Sequence, residues 1–202
     1  MSRWEPNTRE RLMRAAVAEF LDRGYESVTV AEITERAGLT KRTFFRHYAD
    51  KREVLFAGQD ILSRLFSGSI ASAPAEATPV EAISAALTAI GEVFGPERRE
   101  WARKVQVVVA GHSDLREREL LKRAKLRAAM AEALRERGVG EPAASLAAEI
   151  GGLAFTTGFQ RWLEPSDERG FGELCREALA ELVAATAALG RAPDHDSRDR
   201  TS

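Results

Sequence analysis

The chain has 202 residues, enough for one large or two small domains with a sizeable core, and its 44% hydrophobic content is that of a soluble globular protein. A formal net charge of −1 excludes a polycation that binds nucleic acid by bulk charge, so any such binding must come from a local patch. The single cysteine, Cys175, excludes an intramolecular disulfide framework, and no signal peptide or bilayer-spanning run is visible, so a cytoplasmic location is expected.

In chain order, residues 1–7 read as a short polar arm, expected to be disordered, with Arg3 as its candidate for a phosphate or minor-groove contact. Thr8 to Arg23 reads as an amphipathic helix: Leu12, Ala16 and Phe20 step by four, Ala15 lies beside them and Gly24 ends it. Thr29 followed by Glu32 is a capping box, and the helix it opens carries Val30, Ile33 and Ala37 on one face. Gly38 stands where a left-handed residue closes a helix, and Thr40 caps a second short helix from Lys41 to about Tyr48. Two short helices joined by a glycine turn make a helix-turn-helix. Between Arg36 and Arg52 the cations are Arg36, Lys41, Arg42, Arg46, Lys51 and Arg52, opposed only by Asp50. Lys41, Arg42, Phe45 and Arg46 share one face of the second helix, while Phe44 and Tyr48 point to the core side. That arrangement is the one by which a recognition helix reads base edges in a major groove, so the stretch is read as DNA-binding.

Residues from about Thr8 to Phe56 resemble the N-terminal domain of the TetR/AcrR family of bacterial transcriptional regulators. The residues carrying the resemblance are the first helix ending Gly24-Tyr25, the T-V-A-E-I-T-E-R-A-G-L-T stretch (29–40) and the T-F-F-R-H-Y-A-D-K block (43–51). The resemblance implies that Thr29, Thr43, Phe45, His47 and Lys51 stand at phosphate-contacting or DNA-facing positions and that Lys41 and Arg42 face bases. Where the family commonly has tyrosine this chain has Phe45, which removes a hydroxyl-to-phosphate bond and leaves apolar contact with a thymine methyl or a sugar.

Asp50 and Glu53 read as a further cap, opening a connecting helix to about Leu65 or Phe66 with Val54, Ile61 and Leu65 inward. The S-G-S-I-A-S-A-P-A-E-A-T-P stretch (67–79) reads as the clearest linker. Beyond it every element reads helical: one helix marked by Ile83, Leu87, Ile90 and Phe94, and another by Trp101, Val105 and Val108. The V-Q-V-V-V run (105–109) is not assigned to a strand because it has no partner strand. A charged helix from Asp114 to Arg137 takes Leu121, Ala124, Ala128, Ala131 and Leu134 as its stripe. Another runs from Pro142 to Leu163, followed by Pro165, and the last from Phe171 to about Leu189, before a polar tail (191–202) expected to be disordered. The expected fold is therefore all-α. A helix-turn-helix domain (1–50) and a connecting helix (51–66) precede a larger helical effector-binding and dimerisation domain (67–190).

The helix between Leu146 and Phe159 is apolar or small nearly all round, which requires burial on every side. Leu146, Ile150 and Leu153, with Phe171, Leu174, Ala178 and Leu182 from the last helix, are the candidate dimer interface. A dimer suits a palindromic operator, and the resemblance implies that the last two helices build it. Phe94, Trp101, Val105, Met130, Phe155, Phe159 and Trp162 are the candidates to line an effector cavity, with His112, Gln106, Arg103, Thr156 and Gln160 as polar candidates to orient the ligand. No catalytic or nucleotide-binding motif is present, and three histidines with one cysteine make a closed zinc site hard to assemble; no enzyme, cofactor or metal is expected. The resemblance implies a repressor of double-stranded DNA released by a small effector. The rival reading is an all-helical ligand carrier or enzyme whose N-terminal domain only packs; a DNA-binding adaptor with a solid second domain is the third.

Overall fold

In the computed structural model, residues 8–164, 166 and 168–189 are described; the arm with Arg3, Pro165 and the tail with His195 lie outside the described residues. Among the described residues every regular element is helical: α1 (Thr8–Arg23), α2 (Val30–Arg36), α3 (Lys41–His47), α4 (Gln59–Ala71), α5 (Pro79–Val93), α6 (Arg99–Gly111), α7 (Ser113–Glu136), α8 (Ala143–Leu163) and α9 (Phe171–Leu189). Short 3₁₀ turns occupy Glu53–Phe56 and Pro96–Arg98. The V-Q-V-V-V run lies within α6.

Local chemistry sets most of these boundaries. The Thr29–Glu32 capping box forms, with hydroxyl and carboxylate each satisfying an orphan backbone donor, and Thr78 with Glu81 repeats it at the start of α5. The hydrogen bonds at Thr29 hold the Glu32 carboxyl down at about 2. Gly38, at φ +63°, closes α2: its N–H donates to Glu35 and that of Leu39 donates to Thr34.

The connecting segment differs from the continuous helix expected of it. Asp50 accepts from the backbone N–H of Arg52 and Glu53 and opens a 3₁₀ turn rather than a long helix. That turn drives Val54, Leu55 and Phe56 into the N-terminal core. The chain is then re-phased at Gly58, so that α4 presents Phe66 and Ile70 to a second core. Ile61, expected inward, is 48% exposed as a result. Helix α4 also runs through the first part of the expected linker to Ala71, leaving residues 72–78 as the connection. Arg137, at the end of α7, donates to the carbonyls of Ile70, Ala73 and Pro74 and so ties that connection down.

Two apolar cores result. One joins α1–α3 and the first 3₁₀ turn to Val108, Val109 and Leu115, where α6 turns into α7. The other gathers α4, α5, α7, α8 and α9. The expected α7 stripe is displaced: Leu121 is 49% exposed and Ala124 and Ala128 face outward, while Leu115, Leu126, Met130 and Ala133 are buried with Ala131 and Leu134. Close helix crossings depend on glycine. A Cβ on Gly91 would stand 2.5 Å from the Gly172 Cα, and one on Gly158 would stand 2.5 Å from the Cys175 sulfur.

Candidate nucleic-acid interface

The second helix of the N-terminal domain is held from behind. Phe44 is fully buried against Ile33, Leu12 and their neighbours, and Tyr48 donates its hydroxyl to the Arg9 carbonyl at 3.3 Å. Arg11 donates to the Ala37 carbonyl at 2.7 Å, bracing the turn between α2 and α3 from α1. With that face fixed, Lys41, Arg42, Phe45 and Arg46 are all exposed, and Phe45 remains 57% accessible although its ring meets Phe44 edge-on at 5.5 Å. Three cations and a bare aromatic ring thus share the outer surface of a rigidly mounted helix.

The remaining candidates in this region divide by what already occupies them. Thr40 accepts from the Thr43 N–H, and the two hydroxyls lie 3.0 Å apart. Thr29 is exposed, its hydroxyl engaged with Glu32. Lys51, expected at a phosphate, instead directs its ammonium at the carbonyls of Tyr25, Glu26 and Val28 at 2.8–3.3 Å and lies 4.3 Å from the Tyr25 ring centre. Three carbonyls match an ammonium's three donors, so Lys51 secures the α1–α2 loop. Arg36 and Arg52, counted in the basic run, are paired with Glu19 and Asp22 and with Asp50 respectively. The outward positive surface is therefore narrower than the sequence suggests, and it is centred on α3.

His47 is half-buried on the flank of α3, and its Nε2 is buried without a hydrogen-bond partner among the described residues. Burial first, then the charges of Arg46 and Arg9, hold the imidazole below its ordinary pKa. It lines a cleft of about 240 Å³ bordered by Arg9, Tyr48, Asp50, Arg52 and Glu53 on one side and Arg118 and Lys122 of α7 on the other.

The effector candidates separate into two groups. Phe94, Met130, Phe155, Phe159 and Trp162 belong to the second core, whereas Trp101 and Val105 pack against the N-terminal core and His112 lies 5.1 Å from the Tyr25 ring. They do not line one space, because α6 turns its apolar side toward α1. The centre of the aromatic group is Phe171, 4.6 Å from Phe94 and 5.4 Å from both Phe155 and Trp162. Of the polar candidates, Thr156 donates to the Gly152 carbonyl and Arg103 to that of Leu163.

The candidate interface also divides. Phe171, Leu174 and Ala178 are fully buried within the chain and cannot meet a second copy. The stripe on α9 that reads as an outer face is the one turned toward α5 and α8. Leu146 and Leu153 are 55% and 52% exposed, Ile150 lies between them on the same face of α8, and Leu182 is half-buried. Sequence reasoning missed Arg11, Arg137, Arg118 and Lys122, whose partners lie too far along the chain to leave a local signal.

Residues 12–57 match the family described as "Bacterial regulatory proteins, tetR family". The HTH-type transcriptional regulator TcmR of Streptomyces glaucescens is 39% identical over 83 residues, 41% of this chain and 37% of that protein. BetI of Rhizobium meliloti, also an HTH-type transcriptional regulator, is 31% identical over 96 residues, 46% of this chain and 47% of that protein. The chain thus spans less than half the length of either curated relative. Among solved structures, a complex of SmeT with triclosan superposes with a TM-score of 0.57 at 25% identity, covering 89% of this chain and 91% of that one.

Proposed function

We propose, from the match of residues 12–57 to the TetR family of bacterial regulatory proteins, that the protein is a transcriptional repressor that binds a palindromic operator as a homodimer and is released by a small, largely apolar effector. The observation that carries this reading is the outer face of α3, where Lys41, Arg42, Phe45 and Arg46 stand clear of a helix anchored by the buried Phe44. Lys41 and Arg42 read base edges, Arg46 and Thr43 meet backbone phosphate, and Phe45 meets a thymine methyl or a sugar. Thr29 and Thr40 border the same surface as secondary phosphate contacts.

In this reading residues up to about 50 recognise DNA and residues 67–190 bind the effector and the second copy. Leu146, Ile150 and Leu153, with Leu182 and the 84%-exposed Leu189, supply the apolar face of the dimer. Support for an effector comes from the aromatic group around Phe171 and from SmeT, whose triclosan complex shares this fold. An effector that spreads the aromatic group displaces α6 and α7. Their junction, through Val108, Val109 and Leu115, is part of the core that carries α3. The coupling requires only that the effector bind the two states differently, and about 1–3 kcal/mol shifts occupancy several-fold to a hundred-fold.

Footprinting on the DNA upstream of the protein's own gene tests this. The reading predicts a two-fold symmetric protected site whose halves are spaced by about one helical turn or a multiple of it. Asymmetric or absent protection at concentrations that saturate anisotropy would sink the dimeric operator reading.

A further inference from the structure

The N-terminal domain meets the rest of the chain through two kinds of contact. Val108, Val109 and Leu115 at the α6–α7 corner pack into its core, and apolar packing is non-directional. It holds the domain against the corner while leaving it free to turn there. The ion cluster beside it resists that turning. The Glu53 carboxylate accepts from Arg118 and lies 3.4 Å from the Lys122 ammonium, so two cations one turn apart on α7 grip a single acid. The Glu53 side chain is 19% exposed and that of Lys122 9%, so water and salt screen the grip weakly.

Both sides of the cluster are stiff. On one, Asp50 accepts from the backbone N–H groups of Arg52 and Glu53, bracing the short segment that leads from α3 to the acid. On the other, Lys122, Leu126, Met130 and Leu134 follow at four-residue steps along one face of α7, the last three inside the second core. Helix α7 is thus one rod from the ion cluster into that core, where it is keyed to α8. A Cβ on Gly152 would stand 2.5 Å from the Arg127 Cγ, and Arg127 pairs with Glu149 at 2.9 Å. Gly152 and Glu149 adjoin Ile150 and Leu153, the face of α8 assigned above to the second copy.

Building on the dimeric DNA-binding reading above, we propose that Glu53, held by Arg118 and Lys122, is a positioning residue that sets the separation of the two α3 helices in the dimer and so specifies the spacing of the operator's half-sites. The three residues act without touching DNA. A base pair occupies about 3.4 Å along the duplex, so a small turn of the N-terminal domain at the α6–α7 corner changes which spacing both copies of α3 can engage. With the cluster intact one spacing is selected. Without it the apolar corner admits several.

The test uses the operator located by footprinting, its two halves moved together or apart by one and two base pairs, and a duplex holding one half alone. Anisotropy compares wild type, Glu53→Gln and Arg118→Gln at a temperature where thermal melts show each to be folded. Arg118, 31% exposed at the side chain, supplies the comparison should Glu53→Gln not fold. Wild-type affinity is expected to fall by about tenfold or more on the re-spaced duplexes. Both variants should bind the natural spacing more weakly than wild type and the re-spaced duplexes nearly as well as the natural one, with half-site affinity unchanged. Folded variants that keep the wild-type preference for the natural spacing, or that lose affinity equally on every duplex including the half-site, overturn the proposal while leaving DNA recognition intact. Wild-type protein that gives no two-fold symmetric footprint overturns the dimeric operator reading and this one with it.

Discussion

Glu53 and Arg118 are ion-paired across 65 residues of sequence, joining the turn behind α3 to α7. Lys122, only 9% exposed, reaches the same carboxylate at 3.4 Å. Together with Val108, Val109 and Leu115 in the N-terminal core, this pairing makes the α6–α7 corner part of the mount on which α3 sits.

Replacing Glu53 with Gln should therefore destabilise the fold by about 1–3 kcal/mol at pH 7, because it leaves a buried ammonium without its counter-charge. Burial works against the Glu53 carboxylate, but Arg118 and Lys122 outweigh it and hold its pKa below the ordinary 4.5. The pair's contribution is thus present above that value and is lost as pH falls through the folded one. Urea titrations at pH 7 and pH 3.5 should show a gap between variant and wild type that narrows in acid.

Arg42→Ala and Lys41→Ala should each weaken operator binding by about 1–3 kcal/mol, the discrimination that one bidentate bond to a base edge supplies, without altering the melting temperature. Both side chains are exposed, so their removal leaves the packing of α3 as it is.

Lys51→Met should behave in the opposite way. Its ammonium is engaged by the Tyr25, Glu26 and Val28 carbonyls, so the variant should lose about 1.5–3 kcal/mol of stability. The salt dependence of DNA binding, measured where the variant is fully folded, should stay at the wild-type value.

Gly91→Ala should cost about 1–3 kcal/mol, because the new methyl would stand 2.5 Å from the Gly172 Cα and backbone cannot give way as a flexible side chain can. Denaturant midpoints measure this directly. Cys175, beneath the neighbouring crossing at Gly158, is fully buried, and its thiol is pushed up to about 12 by desolvation. It should resist a thiol reagent at pH 8 until the protein is unfolded.

The parts of the fold that were legible in the sequence are those with short-range causes. The limits of α1 and α9, the Thr29–Glu32 capping box and the glycine stop at Gly38 each depend on residues within one helical turn, whereas the Thr78–Glu81 box at the start of α5 lies unread at the end of the stretch that reads as a linker. The outer face of α3 was legible for the same reason, since Phe44 and Tyr48 fix its inner side. What sequence reasoning misplaced depends on which helix faces which. Trp101, Val105 and His112 look like effector-lining groups until α6 is seen to close the N-terminal core. Phe171, Leu174 and Ala178 form a stripe that suits an interface or an interior equally well, and the glycine crossing to α5 decides for the interior. Lys51 reads as a surface cation because nothing local announces the three carbonyls around it.

The most direct test of the central claim is fluorescence anisotropy on the DNA upstream of the protein's own gene, against a scrambled duplex, at low and physiological salt. Sequence reading by α3 predicts saturable binding to the native duplex at least about 10³-fold tighter than to the scrambled one, surviving physiological salt. Equal, weak binding to both duplexes that vanishes with salt would reduce the outer face of α3 to a basic patch and contradict the account.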